Sequence, residues 1–156
     1  MKKTIRHHHL DQQRPTGENQ EEAFIKAFIV PAKQDRYLQM LSNPKRRHAF
    51  LNRLNHSLEL DYAAEFVVKV MPRDQTAPRI EELLRKKGAP DFCHIISSSK
   101  KWDGHDYGLR EALEIVVGSG IGTVICCIPG RLAYYEGEEL RDRFIFAESS
   151  DDLVVW

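Results

Sequence analysis

The sequence predicts a small α/β (α+β mixed) domain of two or three layers, in which a mixed sheet follows an N-terminal helical pair. The chain has 156 residues, which is enough for one hydrophobic core but short for two. Three apolar runs rich in β-branched residues alternate with two amphipathic segments, which gives the order β-α-β-α-β. A Pro-Gly turn and two further β-prone runs then predict an antiparallel hairpin that extends the sheet.

The first 22 residues are polar and are predicted to form a disordered tail, so that a single α/β domain spans residues 23–156. The next run, 23–30, is apolar and β-prone, and its length does not decide between a strand and a helix. Helical spacing then predicts a helical pair, with Tyr37, Leu38 and Leu41 in the first helix and Phe50, Leu51, Leu54 and Leu58 in the second. Asn43-Pro44 separates the two helices, because Asn caps a helix well and Pro suits its first position.

The β-α-β-α-β core is predicted from the order of its elements. Strands are expected at 66–70, 92–97 and 122–128, and helices at 76–88 and 109–117. Short connections between apolar strands favour right-handed crossovers and a parallel three-stranded core. The hairpin strands are expected at 131–136 and 143–147.

Composition excludes several classes of protein. Lys and Arg together number 23, as do Asp and Glu, so no overall charge favours nucleic acid or anionic lipid. The charge is asymmetric, however, since residues 1–56 carry 11 basic and 5 acidic side chains while residues 57–156 carry 12 and 18. No signal peptide and no apolar run of about 20 residues is found, which predicts a cytoplasmic protein without a membrane partner.

A polar run after the second predicted strand is the first candidate binding site. In open α/β sheets, ligands bind beyond the carboxyl ends of strands, and the connections after strands one and two are expected to leave the same edge of the sheet. Hydroxyl groups, helix-start amides and lysines are the donors that a phosphate or carboxylate needs. The predicted ligand-binding residues are Ser97, Ser98, Ser99, Lys100, Lys101, Trp102 and Arg73.

Catalytic candidates in this run are weak. His105 is the acid–base candidate, with Asp103 or Asp106 orienting it; the alternative is that both aspartates cap the following helix. Trp102 either stacks on a ring ligand or covers the edge of the sheet. The sequence has neither standard nucleotide-binding glycine motif, and Gly118-Ser-Gly-Ile-Gly122 follows a helix and precedes a strand, so we predict no cofactor.

The helical pair is the second candidate surface, because it carries six basic side chains against the single acidic Asp35. Such a patch fits a nucleic acid or an acidic protein, and the alternative is a solvated helix face. The predicted partner-binding residues are Lys33, Arg36, Lys45, Arg46, Arg47 and Arg53.

No metal site is predicted. His7, His8 and His9 are adjacent residues of the predicted tail and fix no geometry, while Cys93, Cys126 and Cys127 lie in strands at spacings unlike those of zinc ligands. We expect buried structural cysteines, with Cys126 and Cys127 on opposite faces, and a satisfied sheet histidine at His94. Tyr134 and Tyr135 are placed on a strand that is either an edge available for homodimerisation or has one tyrosine buried and one on the surface.

Three functions remain open at this point. The leading hypothesis is a small interaction or regulatory module, rather than an enzyme, that binds a macromolecular partner through the basic helical pair. The first alternative is an enzyme or sensor for a phosphorylated or anionic small molecule at 97–106. The second alternative is a structural subunit without a ligand.

Overall fold

The computed structural model describes residues 16–148, and this part of the chain contains five α-helices and one six-stranded sheet. The small α/β fold is confirmed. The helices are α1 (Gly17–Phe28), α2 (Pro31–Ser42), α3 (Pro44–Arg53), α4 (Ala77–Lys86) and α5 (Leu109–Val116). The strands are β1 (Val67–Lys69), β2 (Phe92–Ser97), β3 (Asp106–Gly108), β4 (Thr123–Ile128), β5 (Leu132–Glu136) and β6 (Arg143–Ala147).

The predicted parallel core is wrong, because every strand pairing in the sheet is antiparallel. The strand order is β1-β6-β5-β4-β2-β3. The prediction missed β3, which pairs with β2 and returns the chain to the end of the sheet where β2 began. Helix α5 then crosses back, so β4 runs parallel to β3 with β2 between them. The β-α-β rule therefore applies to β3 and β4, which are not neighbours.

The sheet has a hydrophobic core on each face, which makes the fold three-layered. Helices α1, α2 and α3 cover one face, and α4 and α5 cover the other. The predicted alternation of the adjacent cysteines is confirmed, since Cys126 belongs to the first core and Cys127 to the second. All three cysteines are buried and free, and burial raises the pKa of the Cys93 thiol to about 12. These thiols are therefore structural.

The predicted boundary of the disordered tail is wrong. Helix α1 begins at Gly17, where the Thr16 hydroxyl caps the helix by accepting a hydrogen bond from the Asn19 amide. Phe24, Ile25 and Phe28 are buried on its inner face, so the apolar run at 23–30 is helical through Phe28. Residues 1–15, with the three adjacent histidines, and residues 149–156 lie outside the described residues.

The helical pair is confirmed as α2 and α3, with one correction. Asn43 caps α3 by accepting from the Lys45 amide, as predicted. Helix α3 ends at Arg53, however, and Leu58 lies in a short 3-10 turn (Ser57–Glu59) with 90% of its surface exposed. Leu58 therefore does not belong to the predicted apolar stripe.

A buried ion pair lies at one end of the sheet, on the face covered by α4 and α5. Glu136 is fully buried, and its carboxylate accepts hydrogen bonds from the Tyr134 hydroxyl and from the amides of Gly118 and Gly120. The Arg143 guanidinium lies 3.3 Å from the same carboxylate. These contacts hold the α5–β4 connection against the sheet, so the glycine-rich segment is a structural turn.

The expected edge strand at Tyr134 and Tyr135 is also wrong. Strand β5 lies between β4 and β6, and both tyrosines are fully buried on opposite faces of the sheet. The edges are instead β1 and β3, each three residues long. Short edge strands discourage pairing with another chain.

Candidate functional site

The two surfaces predicted from the sequence meet through Arg47. Its guanidinium donates to the Asp103 carboxylate at 2.8 and 2.9 Å, which ties α3 to the turn between β2 and β3. It also donates to both oxygens of Glu21 on α1, at 2.7 and 3.0 Å. Arg47 thereby fixes three elements relative to one another, and bidentate arginine–carboxylate pairs are well suited to this because their geometry is specific.

His94 extends this network into the sheet. It lies on β2 with 2% of its side chain exposed, and its two ring nitrogens contact Glu21 and Asp106, each at 2.7 Å. Gly17 lies directly against the imidazole, and a Cβ at this position would come within 2.6 Å of ring carbon Cε1. The prediction of a satisfied sheet histidine is confirmed, and the glycine lets the start of α1 close over it.

The charges in this network alternate, which perturbs the pKa values of its members. Burial alone would lower the pKa of His94, but its hydrogen bonds to Glu21 and Asp106 outweigh burial and raise it above 6.5. Burial alone would raise the pKa of Glu21, but hydrogen bonds from His94 and Arg47 lower it below 4.5. Glu21 is therefore ionised at neutral pH, and His94 holds its proton to a higher pH than a free histidine.

This arrangement holds neighbouring elements of the fold together. Both nitrogens of His94 already have carboxylate partners, and the ring is covered by α1, so it has no face toward a substrate. Within residues 16–148 no cluster of His, Cys, Asp and Glu side chains is arranged to hold a metal ion. The network fixes the positions of α1, α3 and the β2–β3 turn relative to one another.

The stability of the protein is expected to fall as the pH rises above about 6.5, because His94 must lose one of the two N–H protons that it donates to Glu21 and Asp106. A raised folded-state pKa contributes stability that is complete below the unfolded pKa and disappears as pH rises through the folded pKa. A tenfold difference in proton affinity between the folded and unfolded states corresponds to about 1.4 kcal/mol. The pKa of Glu21 is shifted in the opposite direction, so its contribution to stability is lost toward acid pH. Urea unfolding between about pH 5.5 and 9 measures the first effect.

His94→Gln is expected to flatten the alkaline side of this profile, whereas His105→Gln, which changes an exposed histidine of the same hairpin, should leave it unchanged. A His94→Gln variant with the same slope as the unaltered protein would contradict this assignment.

The predicted basic patch divides into two groups. Lys33 and Arg36 lie near the start of α2, beside the end of α3, where Arg53 covers the Tyr37 ring and donates to the Glu59 carbonyl oxygen. Lys45 and Arg46 lie at the start of α3, at the opposite end of the helical pair. Of the six predicted partner-binding residues, Arg47 and Arg53 are engaged in contacts within the protein.

The predicted ligand loop also differs from expectation. Residues 98–105 form the turn of a hairpin between β2 and β3. The Ser97 hydroxyl is hydrogen-bonded to the Thr123 hydroxyl, and the Ser98 hydroxyl donates to the side-chain oxygen of Asn55. Trp102 is half-buried and packs against the core on the α4–α5 face, which agrees with the covering role. Lys100 and Lys101 are exposed. Ser99 is half-buried, and its amide donates to the Ser97 hydroxyl.

Arg73 does not join this loop. The connections after β1 and β2 leave the same end of the sheet, but β6, β5 and β4 separate them, a distance of about 19 Å at the usual strand spacing. The expectation that Arg73 joins the hairpin turn in one site is therefore wrong.

The expected acid–base pair is not formed either. Asp103 binds Arg47 and the Ser97 amide, and Asp106 binds His94, so neither carboxylate is directed at His105. Asp106 also does not cap α5, because it lies in β3 and the cap position is Gly108.

Sequence reasoning misses Glu21, because it places this residue in the tail, and it misses the partnership of His94 with Asp106. Helical spacing of Phe24, Ile25 and Phe28 behind Thr16 is the signal that places Glu21 on a folded helix.

Comparisons with known proteins add no relative: neither protein-family models, curated proteins nor solved structures give a match to this chain. Among residues 16–148, no helix is both long and apolar enough to cross a membrane. The fold and the site thus define a three-layer α/β domain in which a network of Arg47, Glu21, Asp103 and His94 lies beside exposed basic side chains.

Proposed function

We propose that this protein is an interaction module that binds an anionic macromolecular partner through its basic edge, defined as Lys45, Arg46, Lys100 and Lys101. The observation that carries the proposal is the bidentate Arg47–Asp103 contact, which joins the helix start that bears the first two cations to the turn that bears the others. The cations are thereby presented on a fixed support.

The distribution of ion pairs supports this choice of surface. Most basic residues between 16 and 148 have a carboxylate partner within 4.0 Å, including Arg79, Arg85, Arg110 and Arg131. The four cations of the basic edge have no ion pair within the same range of residues and are exposed. Unpaired cations concentrated at one place favour an anionic partner, because binding there breaks no internal contact.

The contacts on this surface would come from side chains. Helix α3 begins with Pro44, and the amides of Lys45, Arg46 and Arg47 already donate to Asn43. A partner with charges spread along its length, such as a nucleic acid backbone, suits four separate side chains better than a single small anion does. A small-molecule site in the same loop has less support, because the hydroxyls of Ser97 and Ser98 are already used.

The test is binding of a labelled mixed-sequence oligonucleotide at about 50 mM salt, measured by fluorescence anisotropy. Four phosphate contacts predict that affinity falls by about two orders of magnitude between 50 and 200 mM salt. Reversing all four charges of the basic edge to Glu is expected to abolish binding. Lys45→Glu with Arg46→Glu is expected to lose most of the affinity, whereas its charge-matched control, Lys33→Glu with Arg36→Glu at the other end of the helical pair, should retain most of it.

Equal losses in the two double variants would show attraction to net charge alone and would contradict the assigned surface. Binding of polyglutamate in place of the oligonucleotide, with the same dependence on the basic edge, would assign the partner to acidic proteins. Failure of both probes to bind the unaltered protein would overturn the proposal.

A further inference from the structure

A separate cavity of about 370 Å³ lies on the α1–α3 face, at the end of the sheet where β1 ends and β6 begins. Its walls come from the segment after α3, from β1 and from the connection between β5 and β6. The lining residues are His56, Ser57, Leu58, Tyr62, Lys69, Glu139, Arg141, Asp142 and Phe144. This volume lies within the range of sites for small molecules.

The cavity has an aromatic and aliphatic part. The rings of Tyr62 and Phe144 lie with their centroids 5.4 Å apart, and Phe144 belongs to the core beneath them. Leu58 lines the same cavity with 90% of its surface exposed. An apolar ligand group placed here would contact two aromatic rings and remove the leucine side chain from water.

The charged residues of the cavity are not all available to a ligand. Arg141 and Glu139 pair with each other at 2.7 Å, and His56 lies 3.4 Å from Glu138. That pairing leaves one anion and one cation, Asp142 and Lys69, without an ion pair in the part of the chain that the structure describes. Together they present one negative and one positive group to the same space.

Asp142 is the more informative of the two, because only 7% of its surface is exposed. Its Oδ1 atom accepts a hydrogen bond from the Ser57 hydroxyl at 2.7 Å. A carboxylate has two oxygens and can accept several hydrogen bonds, and a buried one without a cation is costly. An ammonium group from a ligand would supply the missing positive charge.

Lys69 lies on the edge strand β1, and its register partner is Phe144 of the cavity floor. Its ammonium group is exposed and forms no hydrogen bond or ion pair within residues 16–148. A free ammonium group beside an aromatic floor is a suitable partner for a ligand carboxylate.

We propose that this cavity binds a small zwitterion of the α-amino-acid class with an apolar side chain. Its ammonium group contacts Asp142, its carboxylate contacts Lys69, and its side chain lies over Tyr62 and Phe144. The pairing of one buried carboxylate with one free ammonium group selects a ligand that carries both charges, because a ligand with one charge leaves one of the two groups unpaired. This site is independent of the basic edge.

The test uses L-phenylalanine and L-leucine as probes, titrated into the full chain and followed by amide chemical shifts of residues that line the cavity. Binding of at least one probe below about 10 mM is expected. 3-Phenylpropionate, which lacks the ammonium group, and phenethylamine, which lacks the carboxylate, should each bind at least about tenfold more weakly than L-phenylalanine.

Asp142→Asn, which retains an acceptor for Ser57, and Lys69→Gln are each expected to weaken binding by about tenfold or more. Lys69→Gln alters an exposed side chain, so its result stands even where the buried variant folds poorly. Lys100→Gln on the basic edge is the control and should leave the affinity unchanged.

Binding of phenethylamine as tight as that of L-phenylalanine, or an unchanged affinity in Lys69→Gln, would overturn the assignment of a zwitterion. The absence of any shift with both amino acids would overturn the site itself. None of these results depends on whether an oligonucleotide binds the basic edge, so the two proposals fail separately.

Discussion

Glu136→Ala is expected to lower the free energy of unfolding by about 3–5 kcal/mol, the usual cost of removing one partner of a buried ion pair. The substitution leaves the Arg143 guanidinium, itself buried, with the Gln75 side-chain oxygen as its hydrogen-bonding partner. It also removes the acceptor for the Tyr134 hydroxyl and for two amides of the α5–β4 connection. Urea denaturation followed by circular dichroism measures the change.

The control for Glu136→Ala is Glu138→Ala, two residues along the chain, where the glutamate is exposed and the expected change is within about 0.5 kcal/mol. A double variant, Glu136→Leu with Arg143→Met, separates charge from packing. It should recover part of the stability, because replacing both members of a buried pair removes the unpaired charge. If the losses of stability in the single variants Glu136→Leu and Arg143→Met simply add in the double variant, the ion pair is not the source of the effect.

Arg47→Ala is expected to cost about 2–3 kcal/mol, somewhat less than the full cost of breaking a buried pair, because 21% of the Arg47 side chain is exposed. The substitution leaves the buried Glu21 and the half-buried Asp103 without their common cation, and it releases the β2–β3 turn from α3. We therefore also expect faster hydrogen exchange of the Ser97 amide, which donates to Asp103.

The neighbouring Arg46 provides the control for Arg47, since it has the same chemistry but is exposed and unpaired among residues 16–148. Arg46→Ala should change the free energy of unfolding by no more than about 0.5 kcal/mol, and it should weaken the binding of any anionic partner. Comparable destabilisation by the two alanine variants would mean that the Arg47 contacts do not hold the three elements together.

The sequence predicted helices and strands well where a cap residue or an apolar pattern within a few residues determines the element. The helix predicted at 76–88 begins where expected, with Thr76 as the cap of α4, and the apolar stripe of α5 is buried against the sheet. These features depend on hydrogen bonds and burial within a few residues, so a short window contains the necessary information. The bounds of β6 agree with the prediction for the same reason.

Strand order was not predictable in this way, because it depends on partners far apart in the chain. Three residues, Asp106-Tyr-Gly108, decide whether β4 runs with or against β2, and two of them, Asp and Gly, are depleted in strands. The candidate site shows the same limit. His94 and Glu21 contact each other across 73 positions of sequence, so only the folded sheet brings them together.

The position of β1 has a consequence for how the chain assembles during synthesis. Strands β4, β5 and β6 pair with their neighbours in sequence, but β1 pairs only with β6, and Val67 lies opposite Phe146. A ribosome adding about 5–20 residues per second needs several seconds to make that stretch. During nearly all of this interval α1, α2 and α3 have been made, whereas the aromatic residues Phe144 and Phe146 that they cover have not. Helices α1, α2 and α3 thus lack part of the apolar surface that they cover until β6, the last described strand, has been made.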